Sequence, residues 1–589
     1  MTDYFEVHER DGAARLGELR LADSHVTPSL ADDVVEEAGD GVSASEWFEP
    51  QEPPEGDDSA VTVLPYRGFP TGTAEEVEES FAVDYPDVDF PSAAVVSPDT
   101  AADYGSDVYI LSGAPGYVGH ASAFVDAVIQ ARESIPGDSA LYLSGVATPE
   151  NVATLVYAGV DLVDADRAVV RGTQGKYLTT DGEQFLEDLE ELPCACEACR
   201  KPISEFTRED CVDHNVNVLE AELARVRGRI REGRLRDYIE GQARHEAWCT
   251  ASFRELDQQW GYIEERTPVQ RDSMLLSATE DSLKRVEIQR FADRVTSRFQ
   301  KRLDDVPLLL VPCSARKPYS ESQSHGQFQD AAQYRAHLVS MTSPIGVVPQ
   351  ELELTYPAQH YDSVVTGEWS ETELDFVSRV LARYLDNTNY SRIVAHVPDE
   401  GYQEIVRRAT EGRDVPVEFT VEDHPTTDAS LANLSDALQG ETQIRVSEKE
   451  RATLKAVADY QFGAGAGDDL FDDLQIQGRY PKIQALDAEG EQLAALVPNY
   501  GLLSFTLAGG RRWVESDVPT KTVEIDDFVP RGSVLAPGVV DADDSIRPGD
   551  EVVVEGPSAF AVGRALTHGA EMTESTRGEV VQVRHSEER

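Results

Sequence analysis

The first 190 residues combine short apolar runs with stretches of helical spacing. Residues 140–146 and 160–163 are mostly apolar, which predicts buried strands, and residues 149–158 between them carry apolar side chains at helical spacing. A strand, a helix and a second strand in this order form a βαβ unit of a parallel sheet or barrel. Residues 36–60 are acidic and rich in Pro and Gly, which predicts an exposed loop.

Helical spacing dominates from residue 214 to about residue 302, and a second alternation of strands and helices follows. We expect residues 303–440 to form a separate α/β domain, with buried strands at 308–311 and 393–397 and helices at 371–385 and 402–410. After a helix at 448–460, short β-branched segments separated by Gly indicate a small β-barrel at the end of the chain. These patterns predict a multidomain α/β protein with domains at 1–190, 191–302, 303–440, 441–516 and 517–589.

Acidic residues dominate the charge of this chain. It has 109 Asp and Glu against 52 Lys and Arg, a formal net charge of −57, and the acidic positions are spread through helical stretches and loops alike. Such a surface is typical of proteins that work at multimolar salt, where dense carboxylates keep the protein hydrated. An apolar content of 40% argues against a disordered chain. A nucleic-acid partner is not excluded, because at high salt the affinity for phosphate comes from shape, stacking and local Arg.

The sequence shows no targeting or membrane-spanning signal. No run of eighteen apolar residues occurs, and the amino terminus MTDYFEVHERDG is charged. A signal peptide would need an apolar stretch behind a basic start. We therefore expect a soluble cytoplasmic protein with no membrane partner.

Four of the six cysteines fall between residues 194 and 211. Three of them form, with a histidine, the pattern C-x-C-x2-C-x14-H, whose members are Cys194, Cys196, Cys199 and His214. Three thiolates and one imidazole meet the tetrahedral requirement of a closed structural zinc site and leave no open position for catalysis. The alternative is a loop of reduced thiols. Cys211 and Cys249 are expected to be bystanders.

The segment PCSARKPYSESQSH, residues 312–325, directly follows an apolar run at 306–311. Residues just past the carboxyl end of a buried strand are where open α/β sheets place their chemistry. This segment is therefore the best active-site candidate in the chain. Its candidate catalytic residues are Cys313, Lys317, Tyr319, Ser322 and His325.

Several segments together resemble archaeal tRNA-guanine transglycosylases: FEVHERDGAARLGELRL with TPSL, SGVATPENVATLVYAGVDLVDADRAV, the cysteine cluster and AVADYQFGAGAGDDLF. The end of the chain resembles a PUA domain, and residues 312–325 resemble PC-x3-KPY-x2-S-x2-H, the motif of the paralogous archaeosine synthases, here of haloarchaeal type. The resemblance implies a degenerate TIM-barrel-like transglycosylase domain, a zinc-binding helical subdomain, an α/β core domain, a small α+β domain and a C-terminal PUA β-barrel that binds RNA.

The chain departs from the transglycosylase pattern at the exchange site. Asp164 in VDLVDAD falls where the nucleophile of that family would lie, yet the sequence has no DSGGFQ-like segment to carry the second Asp. A barrel of eight β/α units usually needs about 250 residues, and only residues 1–190 precede the cysteine cluster. The resemblance therefore implies a degenerate, tRNA-docking domain. Asp164 is its candidate substrate-binding residue and is more readily explained as structural or vestigial.

The resemblance to archaeosine synthases implies addition of an amine nitrogen to the nitrile of 7-cyano-7-deazaguanine at position 15 of tRNA. Lysine, glutamine and ammonia stay open as nitrogen donors. A lysine adduct would need a separate radical SAM partner subunit, because this chain has no C-x3-C-x2-C cluster. We also expect a homodimer.

Two classes of function remain open, a modifying enzyme and a tRNA-binding scaffold for another catalyst. A scaffold has no need of Cys, Lys, Tyr, Ser and His together at a strand end, which favours the enzyme. Cys313 is then the candidate nucleophile, forming a thioimidate that the amine displaces. Lys317 or His325 would favour its thiolate, His325 suits proton transfer, and Tyr319 and Ser322 would orient the base or donor. Alternatively, Cys313 only ends the strand, while Lys317 and His325 hold a phosphate or carboxylate.

Overall fold

The computed structural model describes residues 4–37, 56–64, 66, 88–364 and 368–589. Most of the predicted loop at 36–60, namely residues 38–55, therefore lies outside the described residues. The chain divides into two compact units: the first holds the described residues up to Thr267 with Leu535–Pro537 and Ala570–Val580, and the second holds Pro268–Val534, Gly538–Gly569 and Val581–Arg589. Among the described residues, no helix combines the length and apolar character needed to cross a bilayer.

Seven strands form the main sheet of the first unit. In spatial order they are Ser29–Leu30, Leu162–Val163, Ala140–Leu143, Val108–Leu111, Ser92–Val96, Val61–Val63 and Val35–Glu37. Every neighbouring pair is parallel. Helix Val152–Tyr157 connects two of these strands and completes the βαβ unit that the sequence predicted.

The two edge strands of this sheet are close in sequence, because only residues 31–34 separate Leu30 from Val35. A flat sheet of seven strands would hold its edges about 29 Å apart, at about 4.8 Å per spacing, whereas five residues span at most about 18 Å. The sheet must therefore curl until its edges meet. Residues 29–37 act as one interrupted strand that joins the two edges into a parallel barrel. The strands of this barrel that the structure describes are fewer than the eight of a complete TIM barrel. The predicted degenerate barrel is confirmed.

The remaining elements of the first unit surround the barrel. An antiparallel sheet is formed by Phe5–Asp11, Ala14–Leu19 and His25–Thr27, and a hairpin by Lys176–Thr179 and Gly182–Phe185. The other helices are Ala121–Ser134, Asp166–Thr173, Arg208–Arg231, Leu235–Gln242, Ala247–Leu256 and Trp260–Arg266. The predicted helical stretch after residue 214 is broken at Gly233, whose φ of 62° ends the long helix with a bond from Arg234 N–H to Arg229 O.

Five strands form the central sheet of the second unit, in the order Gly346–Pro349, His337–Thr342, Leu308–Pro312, Ile393–Ala395 and Val417–Phe419. The edge strand Gly346–Pro349 is antiparallel and the other pairs are parallel. One face of the sheet shares a buried cluster with helices Gln323–Ala332 and Asp428–Ala437, and the other with helices Val286–Ser297, Glu371–Asp386 and Tyr402–Thr410.

The two middle strands of this sheet lead into helices on opposite faces. Strand Leu308–Pro312 is followed by helix Gln323–Ala332, and its neighbour Ile393–Ala395 is followed by helix Tyr402–Thr410. These helices belong to different buried clusters, so the winding of the sheet reverses between the two strands. Such a topological switch point opens a crevice at the carboxyl ends of the strands, where open α/β sheets bind ligands.

Three further sheets complete the part of the chain that the structure describes. An antiparallel sheet of Gln475–Arg479, Lys482–Leu486, Gln492–Val497 and Leu502–Phe505 packs with helices Val446–Phe462, Ala466–Leu470 and Leu507–Glu515. The terminal sheet has the order Ser533–Leu535, Glu579–Glu588, Ala559–Ala565, Glu551–Gly556, Thr522–Ile525 and Val539–Ala542, with helix Gly569–Glu574. Strands Leu275–Ser277 and Tyr361–Ser363 form a separate parallel pair. The predicted multidomain fold class is confirmed, and the individual domain bounds stay predictions.

Candidate functional site

The structure brings the four predicted metal ligands together. A loop with the single turn Glu197–Cys199 carries the three thiols, and helix Arg208–Arg231 supplies the imidazole. Thr207 begins this helix with a capping box to Asp210, which satisfies the free N–H groups of its first turn. One ligand atom from each of Cys194, Cys196, Cys199 and His214 lies within 4.8 Å of the other three.

Contacts around His214 aim its free nitrogen at the thiols. The ring is fully buried and stacks on Tyr177 with centroids 3.7 Å apart. Nε2 lies 2.8 Å from Leu178 O, so Nε2 carries the hydrogen and Nδ1 keeps its lone pair. Nδ1 is 3.3 Å from Cys199 Sγ and 3.6 Å from Cys196 Sγ. A tetrahedral zinc site would separate nitrogen and sulfur ligands by about 3.5 Å, so the spacing fits a metal ion.

The neighbour of His214 attaches the helix to the hairpin beneath the cluster. Asn215 accepts the N–H of Leu178 at 2.9 Å and donates its amide hydrogens to Ala168 O and Lys176 O. The same strand, Lys176–Thr179, also holds Tyr177 and the carbonyl that fixes the histidine. Cys211 and Cys249 lie outside the group of four ligands. The site is therefore held by buried hydrogen bonds and stacking, as expected of a structural centre.

The segment 312–325 lies at the switch point of the second unit. Cys313 directly follows strand Leu308–Pro312, and its side chain is half-buried against the core. Its Sγ is 3.4 Å from the hydroxyl of Tyr402. That tyrosine is the first residue of the helix after strand Ile393–Ala395. The thiol therefore lies at the carboxyl ends of the two middle strands, at the edge that the sequence predicted.

Lys317 is held close to this thiol by an aromatic ring. Its Nζ lies 3.8 Å from the centroid of the Tyr361 ring, a cation–π contact. Burial lowers the pKa of Lys317, while the neighbouring Cys313 and Asp362 act in the opposite direction. An amine with a lowered pKa exchanges protons more readily near neutral pH. A role of Lys317 in proton transfer with Cys313 stays a prediction.

Tyr319 starts a chain of hydrogen-bonded hydroxyl groups. Its hydroxyl oxygen is 2.6 Å from that of Tyr361, which is 2.6 Å from Thr342 Oγ1. Thr342 donates to Ser343 O at 3.0 Å, so the preceding hydrogens point along the chain toward this carbonyl. Burial raises the pKa of Tyr319 well above its usual range. The hydroxyl of Tyr319 is thus neutral and already engaged.

Ser322 and His325 hold the segment in place. Ser322 Oγ caps helix Gln323–Ala332 by accepting the N–H of His325 at 3.2 Å. His325 is 4% exposed, stacks on Tyr319 and donates Nε2–H to Pro312 O at 3.0 Å. Burial lowers the pKa of His325 to about 4. At neutral pH the imidazole is uncharged and bonded to the backbone, an arrangement that fits positioning better than proton transfer. The catalytic roles of both residues stay predictions.

Asp164 lies at the end of barrel strand Leu162–Val163 and is 3% exposed. Its carboxylate accepts the hydroxyl of Tyr142 at 2.9 Å and the N–H groups of Gly145 and Asp166. These bonds join two neighbouring strand ends and are sufficient to explain the residue as structural. A contact to substrate stays a prediction.

Sequence reasoning missed Tyr402 and Tyr361, which contact predicted residues, and Thr342, which bonds to Tyr361. They come from a helix and two strands far along the chain, and no spacing in the sequence links them to residues 312–325. The structure also shows a cavity of about 640 Å³ beside the segment, lined by Asp272, Pro318, Ser320, Glu321, Leu354, Gln359, His360, Tyr480, Pro481, Pro498 and Asn499. Of these, only residues 318, 320 and 321 belong to the predicted segment.

Comparison with protein families matches four stretches of the chain. They are queuine tRNA-ribosyltransferase at residues 95–247, a domain of unknown function (DUF5591) at 288–438, the patch-forming domain C2 of tRNA-guanine transglycosylase at 452–519 and a PUA domain at 522–586. The barrel, the terminal sheet and these matches place the chain in the class of transglycosylase-related proteins with a C-terminal PUA domain.

Curated relatives narrow this class. Archaeosine synthase of Haloferax volcanii is 64% identical over 100% of both chains, and archaeosine synthase subunit alpha of Methanosarcina acetivorans is 41% identical over 99% of both. tRNA-guanine(15) transglycosylase of Methanothermobacter thermautotrophicus is 28% identical over 78% of this chain and 68% of its own. The chain belongs to the archaeosine synthase family. The family predicted from the motif at 312–325 is confirmed.

Proposed function

We propose that this protein is a tRNA-modifying enzyme of archaeosine biosynthesis, which adds an amine nitrogen to the nitrile of 7-cyano-7-deazaguanine at position 15 of tRNA. The observation that carries the proposal is the 64% identity to an archaeosine synthase over the whole chain. The geometry supports it, because Cys313 lies at the switch point of an α/β sheet, where a ligand crevice is expected, and acts electrostatically on Lys317 of the same segment.

The chemistry begins with Cys313 as nucleophile. Lys317 takes the thiol proton, the thiolate attacks the nitrile carbon, and a C–S bond forms as one C–N π bond breaks. The nitrogen receives the proton back from Lys317, which leaves a thioimidate. The amine donor then adds to the same carbon and loses a proton, the C–S bond breaks with Cys313 leaving as the thiolate, and the thiolate takes up that proton. The product is an amidine, and the enzyme returns to its starting state.

The other predicted residues act around this pair. Tyr319 and His325 stack on each other, and Ser322 caps the helix that carries His325, so the three hold residues 312–325 against the strand. We therefore assign Tyr319, Ser322 and His325 to orientation of the site. A scaffold would have no need of a half-buried thiol and a half-buried lysine in one segment at a strand end. This arrangement favours the enzyme.

The Cys194, Cys196, Cys199 and His214 site is proposed to hold one structural zinc ion. The donor set, its spacing and the hydrogen bond of His214 to a backbone carbonyl fit a closed tetrahedral centre. Zinc would supply a cross-link between the cysteine loop and helix Arg208–Arg231. The chain's own residues fix the histidine and the helix start.

The proposed reaction requires a tRNA substrate and a nitrogen donor. tRNA is the substrate, and the transglycosylase-like barrel and the PUA domain are proposed to bind it. We place the reaction in the cytoplasm. The acidic surface of the protein is suited to multimolar salt. Lysine, glutamine or ammonia supplies the nitrogen, and lysine would require a radical SAM partner subunit to cleave the adduct. A homodimer and a substrate contact by Asp164 stay predictions.

The test is mass spectrometry of nucleosides from tRNA carrying 7-cyano-7-deazaguanine, incubated at high salt with the protein and each amine in turn. The expected result is a mass increase equal to one donor. Cys313→Ala should lower turnover by several orders of magnitude with tRNA affinity intact, while Ser314→Ala, its neighbour in the same loop, should behave as wild type. Near-normal turnover of Cys313→Ala would exclude the covalent step. Retained tRNA binding without turnover for any amine would instead favour the scaffold.

A further inference from the structure

Tyr402 reaches the candidate nucleophile from the other side of the switch point. It begins helix Tyr402–Thr410, which follows strand Ile393–Ala395, whereas Cys313 follows the neighbouring strand Leu308–Pro312. Its hydroxyl lies 3.4 Å from Cys313 Sγ. The end of a strand and the start of a distant helix therefore meet at Cys313. The proposed function requires this thiol to be activated as a nucleophile.

The direction of the hydrogen bond follows from the charge state of the sulfur. A thiolate carries no hydrogen, so in the reactive form of Cys313 only the hydroxyl of Tyr402 can donate between these two atoms. Burial, with the neighbouring Cys313 as a further cause, raises the pKa of Tyr402. The hydroxyl therefore keeps its hydrogen and can donate it to the sulfur when Cys313 is a thiolate.

Packing holds the Tyr402 ring in this orientation. Tyr402 is 9% exposed, and its ring meets Trp369 edge to face with centroids 4.9 Å apart. Gly401 precedes it with a φ of 82°, and a Cβ at that position would lie 3.0 Å from Cδ1 of Trp369. Glycine therefore permits both the left-handed turn and the close approach to Trp369. The hydroxyl is directed at Cys313 before any substrate arrives, which is the kind of preorganisation that stabilises charge in an active site.

We propose that Tyr402 is a further catalytic residue, whose hydroxyl donates a hydrogen bond to Cys313 Sγ and stabilises the thiolate that attacks the nitrile carbon. The inference rests on the proposed function for the identity of the electrophile. The tyrosine keeps its own proton throughout: the thiol proton moves through Lys317, and Tyr402 contributes only the hydrogen bond. When the amine expels the sulfur, the same hydrogen bond stabilises the leaving thiolate.

Alkylation of Cys313 tests the contact without any tRNA. The full-length protein is treated with iodoacetamide across a range of pH at working salt, and the rate at Cys313 is read from its peptide by mass spectrometry, because only the thiolate reacts. Tyr402→Phe keeps the ring against Trp369 and removes only the hydroxyl. A hydrogen bond to a charged sulfur predicts that the pH midpoint of alkylation rises by about 1 to 2 pH units in this variant.

Turnover of the cyano-modified tRNA gives the second readout. Tyr402→Phe should lower turnover at pH 7 by about 10- to 100-fold, since the thiolate fraction falls by that factor, and should recover part of it at higher pH. Tyr384→Phe is the matched control, because this buried hydroxyl of helix Glu371–Asp386 pairs only with Tyr390 among the contacts described, and both readouts should stay as in wild type. Thermal melting of both variants checks that they fold.

The outcomes separate the two proposals. An unchanged alkylation profile in Tyr402→Phe overturns the hydrogen bond to sulfur, and a shifted profile with unchanged turnover overturns its catalytic role. Full turnover by Cys313→Ala overturns the covalent step of the proposed function instead. In that case the alkylation profile of Tyr402→Phe still reports on the contact by itself.

Discussion

Replacing His325 by glutamine separates proton transfer from positioning in the active-site segment. His325 is 4% exposed and donates Nε2–H to Pro312 O at 3.0 Å. At pH 7 it is uncharged, because burial lowers its pKa to about 4. Glutamine is also uncharged and keeps an amide N–H that can reach the same carbonyl. We therefore expect His325→Gln to retain turnover within about tenfold, whereas loss of a general base costs typically about 10²- to 10⁴-fold.

The lowered pKa of His325 also makes the stability of its helix depend on pH. The folded state binds this proton at about pH 4, and the unfolded chain at the ordinary 6.5. The contribution is therefore fully retained above about pH 6.5 and is lost progressively as the pH falls toward 4. At about 1.4 kcal/mol for each pH unit, the full loss is about 3 kcal/mol. Glutamine takes up no proton, so this part of the pH dependence should disappear in His325→Gln.

Hydrogen exchange and the pH dependence of turnover distinguish a positioning role of His325 from proton transfer. Hydrogen exchange of helix Gln323–Ala332 between pH 7.5 and 4.5 should show acid loosening in wild type that is much smaller in His325→Gln. His325→Ala serves as the contrast, because it leaves Pro312 O without its donor and should loosen the helix by about 1 kcal/mol at every pH. A wild-type turnover profile with a midpoint between pH 6 and 7, combined with a loss above about 100-fold in His325→Gln, would refute the reasoning.

Three further predictions concern the metal site, the helix cap and the barrel. The double variant Cys196→Ser/His214→Ala should contain no zinc by elemental analysis and should show faster hydrogen exchange at the start of helix Arg208–Arg231; full zinc content would contradict the assigned ligands. Ser322→Ala should destabilise helix Gln323–Ala332 by about 1 kcal/mol, measured by hydrogen exchange, with the exposed Ser320→Ala as the control at a neighbouring position. Asp164→Asn should lower the melting temperature of the first unit, since an amide cannot replace every acceptor bond to Tyr142 and Gly145, at a cost of about 1–3 kcal/mol. Turnover by the folded fraction of Asp164→Asn should remain, and its complete loss would indicate a contact with substrate.

Local patterns in the chain were enough to locate the elements that carry the sites. The apolar run before residue 312 is a strand in the middle of the sheet, because a strand buried on both faces needs apolar residues at every position. The cysteine and histidine spacing predicted four ligands that do converge, since a short loop and the start of a helix leave little freedom over that distance. The motif at 312–325 likewise indicated the family correctly, because its residue types and spacing are specific.

The tertiary structure alone decided which of these residues are free to react. Burial of His325 under Tyr319 removes its charge and commits its hydrogen to Pro312, and no periodicity reports the desolvation of a particular ring. Tyr402 joins Cys313 only because the winding of the sheet reverses between two strands about 85 residues apart. Closure of the barrel through residues 29–37 is equally non-local. It depends on strand pairing between segments that are distant in the sequence, and local sequence patterns do not determine the spatial order of the strands.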